Sequence, residues 1–168
     1  LNACQRAGIK KILQVSSAEI YGDIKGKIKE SDLVTPHSTY GVSKAAADGL
    51  VQVRGREAEV PAIAMRQFNC LGERETHEYV IPEIITQLAE GPVVHLGNNS
   101  FRDFQYAGDA IRMAVELLEK GQPGEVYNMG SEEGIQNYDQ AHLIGKLMGY
   151  TKIEIITDQK RMRPWEIW

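Results

Sequence analysis

An α/β fold built on a mostly parallel sheet is predicted by three observations. Short apolar runs alternate with helix-length amphipathic segments along the chain, as in βαβ units. The strand candidates are continuous apolar runs rather than strict alternations, as expected for strands covered on both faces. No internal repeat, low-complexity segment or linker interrupts the 168 residues, of which 42% are hydrophobic and 25% charged. That composition is an ordinary globular one, for one domain or at most two, and the length suffices for a sizeable core.

The elements follow in order. Leu1–Gly8 reads as the tail of a helix closed by Gly8. Residues 11–16 read as a strand, with small hydroxyl residues Ser16 and Ser17 at its carboxyl end. Residues 21–38 are a polar loop closing on Pro36. A helix is expected from Thr39 to Ala58, with Ala45, Ala46, Ala47, Leu50 and Val51 on its inner side. Val60 to Met65 reads as a second buried parallel strand, with Pro61 at its start. Thr76 to Gly91 contains a helix with Pro82 near its first turn and Gly91 as C-cap. Pro92 to Gly97 is a short strand. Asp109, read as a cap, opens an amphipathic helix to Lys120 with Ile111, Ala114, Val115 and Leu118 apolar, ended by Gly121. Glu125 to Met129 reads as a strand, Asn137 caps a helix to Met148, and Lys152 to Ile156 is the last strand.

The chemistry centres on Tyr40 and Lys44. Spaced four apart, they share one helix face and place a phenol beside an ammonium. A neighbouring cation stabilises a phenolate, so such a pair can take a proton from a hydroxyl and return it. The same spacing also describes an ordinary amphipathic helix with a half-buried Tyr and a solvated Lys. Upstream, Lys11-Ile-Leu-Gln-Val-Ser-Ser-Ala-Glu-Ile-Tyr-Gly22 is an apolar strand opening into a loop, the edge at which open α/β sheets bind ligands. Downstream stand Met65-Arg-Gln-Phe-Asn-Cys-Leu-Gly72, Arg102-Asp-Phe-Gln-Tyr-Ala-Gly-Asp109 and Glu125-Val-Tyr-Asn-Met-Gly-Ser131. In this order the five motifs resemble the extended short-chain dehydrogenase/reductase family, specifically its nucleotide-sugar epimerases and dehydratases.

The resemblance implies the C-terminal part of a Rossmann-like parallel sheet with helices over residues 1–75. Residues 76–168 would form mostly a smaller α/β substrate-binding domain, interleaved with the sheet through the strand near 125–129. It implies NAD or NADP as cofactor, with Tyr40, Lys44 and Ser16 on the cofactor side. A nucleotide-diphosphate sugar is the implied substrate. Tyr40 would act as base while hydride leaves sugar C4, Lys44 would hold the nicotinamide ribose, and Ser17 would hydrogen-bond the 4-oxygen. Asn69 and Arg102 resemble the family's diphosphate ligands, a role that suits a guanidinium fork. Members commonly pair through the helix that carries Tyr-x-x-x-Lys, and Ala45, Ala46, Ala47, Leu50 and Val53 offer part of such a surface, so a homodimer is expected.

Glu19 discriminates within the family. Dehydration needs a base for the C5 proton once a 4-ketone has acidified it, and the dehydratases and UDP-glucuronate decarboxylases carry a Glu two positions after the hydroxyl residue. Ala18 departs from the Asp that thymidine-linked dehydratases place between the two. Arg161, Arg163 and Pro164 resemble an Arg-x-Arg-Pro-x-Glu segment of the GDP-mannose dehydratases. A 4,6-dehydratase is therefore expected, with a 4-epimerase or UDP-glucuronate decarboxylase as alternatives. For Glu19 a loop carboxylate paired with a nearby Lys stays open, and for Arg102 an ion pair with Asp103.

Other classes are excluded. A formal charge of −4 argues against a general nucleic-acid binder. No apolar stretch approaches the roughly 18 residues that span a bilayer. Cys4 and Cys70 have no C-x-x-C partner, which suits a reduced, cytoplasmic setting. The histidines show no ligand spacing, so no metal is expected, and Gly26-Lys27 fails the phosphate-loop spacing. No G-x-G-x-x-G loop follows a strand, and the chain runs from Leu1, within a helix, to Trp168. The expectation is the C-terminal part of a longer protein that binds NAD poorly alone, and a catalytically silent fragment or sugar-nucleotide binding module is the rival of another class.

Overall fold

The structure, a computed structural model, describes residues 1–57 and 60–162. Its strands are β1 (Ile12–Ser17), β2 (Ala62–Gln67), β3 (Asn69–Leu71), β4 (Val93–Leu96), β5 (Phe101–Tyr106), β6 (Val126–Met129), β7 (Gly134–Gln136) and β8 (Glu154–Thr157). Its α-helices are α1 (Asn2–Arg6), α2 (Thr39–Arg56), α3 (Val80–Glu90), α4 (Ala107–Lys120) and α5 (Asn137–Leu147). Two compact units emerge. The first joins Leu1–Cys70 with Gln105–Gly130, and the second joins Leu71–Phe104 with the described residues from Ser131 onward.

In the first unit β1, β2 and β6 form a parallel sheet in that order. The register runs from Ile12 opposite Ala62 to Ser17 opposite Gln67, and from Ala64 opposite Val126 to Gln67 opposite Met129. Central β2 is buried from Ala62 to Arg66, which is why it reads as a continuous apolar run. Helix α2 packs on β1 and β2, closing a core of Val51, Val60, Ala62 and Ala64.

The inner side of α2 differs from the expected one. Gly41, Asp48, Val51 and Gly55 are buried, whereas Ala46 is exposed and Leu50 is 60% exposed. The reason is close approach: a Cβ at Gly55 would lie 2.3 Å from the Gly124 nitrogen. Small residues let the helix sit on the sheet, a charged one pairs beneath it, Val51 fills the core as expected, and Val42, Leu50 and Val53 are left outside.

In the second unit β4 and β8 pair in parallel, and α3 and α5 enclose a core of Ile84, Leu88, Val94, Leu96, Ala141 and Ile153. Strands β5 and β7, which the sequence reading left unassigned, pair antiparallel from Phe101 opposite Gln136 to Asp103 opposite Gly134. Asp103 fixes the turn before β7 by accepting from Ser131 N and Oγ, both at 2.8 Å, and from Glu132 N at 3.0 Å.

Two expected caps are corrected. Asn137 is the first residue of α5, and its buried amide donates to Ser100 Oγ at 3.1 Å. Asp109 lies in the first turn of α4 after its cap Tyr106, paired with Arg112. Residues 163, 164 and 166 of the expected Arg-x-Arg-Pro-x-Glu segment, and Ala58 at the expected end of α2, lie outside the described residues. Among the described residues no helix is long and apolar enough to cross a membrane.

Candidate active site

The site grows from the carboxyl end of β1. Ser16 is buried, and its Oγ has no hydrogen-bond partner. Buried hydroxyls are nearly always satisfied, so an orphan at a ligand-binding edge points to a partner outside the protein. Ser17 follows as N-cap of a 3₁₀ helix, Ala18–Tyr21, with its Oγ accepting from Glu19 N at 3.2 Å. That tight turn carries Glu19 to the surface and sends Ile20 and Tyr21 into the core.

Helix α2 delivers the second half. Its N-cap Ser38 accepts from Gly41 N at 2.9 Å and donates to a carboxylate oxygen of Glu19. Tyr40 is 50% exposed, and Lys44 Nζ stands 5.5 Å from its ring centroid. The same ammonium donates to Val15 O at 2.8 Å, which ties α2 to the end of β1 and leaves two further donors. Within the first unit the structure thus gathers Ser16, Ser17, Glu19, Tyr40 and Lys44 at one strand end. The donor set suits a nicotinamide riboside: an orphan buried hydroxyl, an ammonium with donors to spare and a half-exposed phenol.

Beneath this edge lies a polar network that the sequence reading missed. Arg66 grips Asp48 with two hydrogen bonds, Nε to Oδ2 at 3.1 Å and Nη2 to Oδ1 at 3.0 Å, with both side chains nearly fully buried. Its Nη1 donates to Tyr21 Oη at 2.7 Å and to Glu30 O at 2.9 Å. Tyr21 Oη then donates to Asn128 Oδ1 at 2.6 Å, and Asn128 N donates to Glu30 Oε1 at 2.8 Å. Burial pushes the Tyr21 phenol up from its ordinary range, keeping it neutral and able to donate. Burial opposes the Arg66 charge, but its bonds to Asp48 and Tyr21 outweigh that and hold its pKa above the ordinary value. The network fastens the loop between Tyr21 and Ser38 to β2, β6 and α2. One signal was available: Asp48 stands four residues after Lys44, on the same helix face.

Two candidates remain, Asn69 and Arg102. Asn69 is exposed at the start of β3. Arg102 is half-buried in β5 of the second unit, opposite Ile135, and donates to Phe101 O at 3.0 Å.

Residues 1–130 match the model of the NAD dependent epimerase/dehydratase family. The chain belongs to that family. It is 34% identical over 165 residues to the low-salt glycan biosynthesis protein Agl12 of Haloferax volcanii, covering 95% of this chain and 53% of that protein. Among solved structures it resembles dTDP-glucose 4,6-dehydratase from Bacillus anthracis in complex with NAD, with a TM-score of 0.85 and 31% identity over 94% of this chain and 52% of that one. It also resembles UDP-glucuronic acid 4-epimerase from Bacillus cereus in complex with NAD, with a TM-score of 0.82 and 28% identity over 94% of this chain and 53% of that one. The family member described here therefore spans about half the length of these relatives.

Proposed function

We propose that the complete gene product is a nucleotide-sugar 4,6-dehydratase working with NAD or NADP. The observation that carries this reading is Glu19, a solvent-facing carboxylate held at the strand end that also gathers Tyr40, Lys44 and Ser17. A bound nicotinamide supplies the hydride acceptor and donor. Ser16 and Lys44 would hold it, and Lys44 adds positive charge beside Tyr40. The Tyr40 oxygen takes the proton of the sugar's 4-hydroxyl, with Ser17 Oγ sharing that hydrogen bond. Glu19 then takes the C5 proton that the 4-ketone has acidified. With Ala18 beside it, Glu19 is the one carboxyl of the Ser16–Gly22 segment. It returns that proton to the departing 6-hydroxyl, so that water leaves and a C5–C6 double bond forms. That bond takes the hydride back at C6 and a solvent proton at C5 to give the 6-methyl group. Asn69 and Arg102 keep the diphosphate role that the family resemblance implies.

A 4-epimerase is the second reading, favoured by Ala18 and by the similarity to the Bacillus cereus enzyme. Glu19→Gln separates the two. In a dehydratase it lowers formation of the 4-keto-6-deoxy product on the order of a hundredfold, while a 4-keto hexose accumulates. In an epimerase, which needs no C5 base, most activity survives. Mass spectrometry of the sugar nucleotide decides, and elimination at the native rate would overturn the role of Glu19 as the C5 base.

For assembly we propose a two-fold homodimer through the outer face of α2. Val42, Ala46, Leu50 and Val53, all exposed, recur at helical spacing as one apolar stripe. Light scattering of the complete gene product is expected to give a dimer mass, and Leu50→Glu a monomer. A native monomer contradicts the proposal.

A further inference from the structure

Glu19 is exposed, yet it is held at two points. Its backbone N–H is taken by Ser17 Oγ at 3.2 Å, and one carboxylate oxygen accepts from Ser38 Oγ. A serine hydroxyl carries one proton and two lone pairs. Because Ser38 accepts from Gly41 N at 2.9 Å, its own proton is free to point at Glu19. Packing fixes the pair further. A Cβ at Gly41 would stand 2.9 Å from Pro36 Cβ and 3.1 Å from Glu19 O, so the first turn of α2 rests directly on the Glu19 segment. That turn also carries Tyr40.

We infer that Ser38 is a positioning residue for the dehydration half of the reaction. Its hydroxyl holds one oxygen of Glu19 in the acceptor state and leaves the other for the substrate's C5 proton. The base for C4 and the base for C5 are thereby both anchored on one helical turn. Holding an exposed glutamate still would otherwise cost its rotamer entropy at each turnover. The inference rests on the dehydratase reading of Glu19.

The test separates capping from positioning. Ser38→Gly keeps most of the N-cap preference and removes the hydroxyl; Ser38→Asp keeps the cap but cannot donate; Ser38→Thr keeps both functions. In the complete gene product, Ser38→Gly and Ser38→Asp are expected to slow solvent-deuterium exchange at C5 and 6-deoxy product formation roughly ten- to hundredfold. Single-turnover formation of the 4-keto sugar, KM and the thermal midpoint stay near native, and Ser38→Thr restores most of the C5 exchange. In a Glu19→Gln background, Ser38→Gly adds less than about twofold, because the two act as one unit. Equal loss in both half-reactions, full additivity with Glu19→Gln, or native C5 exchange in both variants would overturn the positioning role. Failure of the underlying reading shows separately: the native enzyme's product then keeps its 6-hydroxyl, and the assignment of Ser38 falls with it.

Discussion

Tyr40→Phe is expected to lower turnover of the complete gene product by about two to four orders of magnitude, the range that one positioned acid–base group supplies. Phe keeps the ring beside Lys44 but cannot carry a proton. The anchors around it do not depend on the phenol: Lys44 Nζ is tied to Val15 O, and Ser38 caps α2 through Gly41 N. Affinity for the nucleotide sugar is therefore expected to stay within a few-fold of native. Steady-state kinetics read the loss, and calorimetry reads the affinity. Turnover near native would remove Tyr40 from the chemistry, and equal losses in turnover and affinity would make its role structural.

Asp48→Ala is expected to destabilise the fold by about 3–5 kcal/mol, because it strands a buried guanidinium. Both side chains of the pair are nearly sealed from solvent, at 3% exposure for Arg66 and 1% for Asp48. The loss spreads outward, since Arg66 also holds Tyr21 and the Glu30 carbonyl and so secures the Tyr21–Ser38 loop. Replacing both partners by apolar residues, Asp48→Leu with Arg66→Met, removes the stranded charge, and the double variant is expected to be less destabilised than Asp48→Ala alone. Urea unfolding measures both. A single variant within about 1 kcal/mol of native would show that the pair contributes little.

The parallel sheet and the strand-end cluster were legible because each depends on local pattern. Buried β2 is apolar at every position from Ala62 to Met65, and the Tyr40–Lys44 spacing fits one helix face. What was not legible depends on tertiary approach. Leu50 looks like a core residue by its chemistry, but Gly41 and Gly55 bring α2 so close that its buried face holds only Val51 among larger apolar residues, beside two glycines and Asp48. Arg66 reads as part of a motif, and only folding shows that Asp48, Tyr21 and Asn128, from three separate stretches, converge on it. Strand β7 is only three residues long and β5 mixes aromatic with charged residues, and their pairing is visible only once Ser131 and Asp103 meet. The tie between Ser38 and Glu19 joins residues nineteen apart in a loop without periodicity.

Mass spectrometry of the product that the complete gene product forms from nucleotide-diphosphate hexoses tests the central claim most directly. The expected product is lighter than its substrate by one water, with a ketone at C4 and a methyl at C5. A product of unchanged mass, differing from the substrate only in configuration at C4, would contradict it.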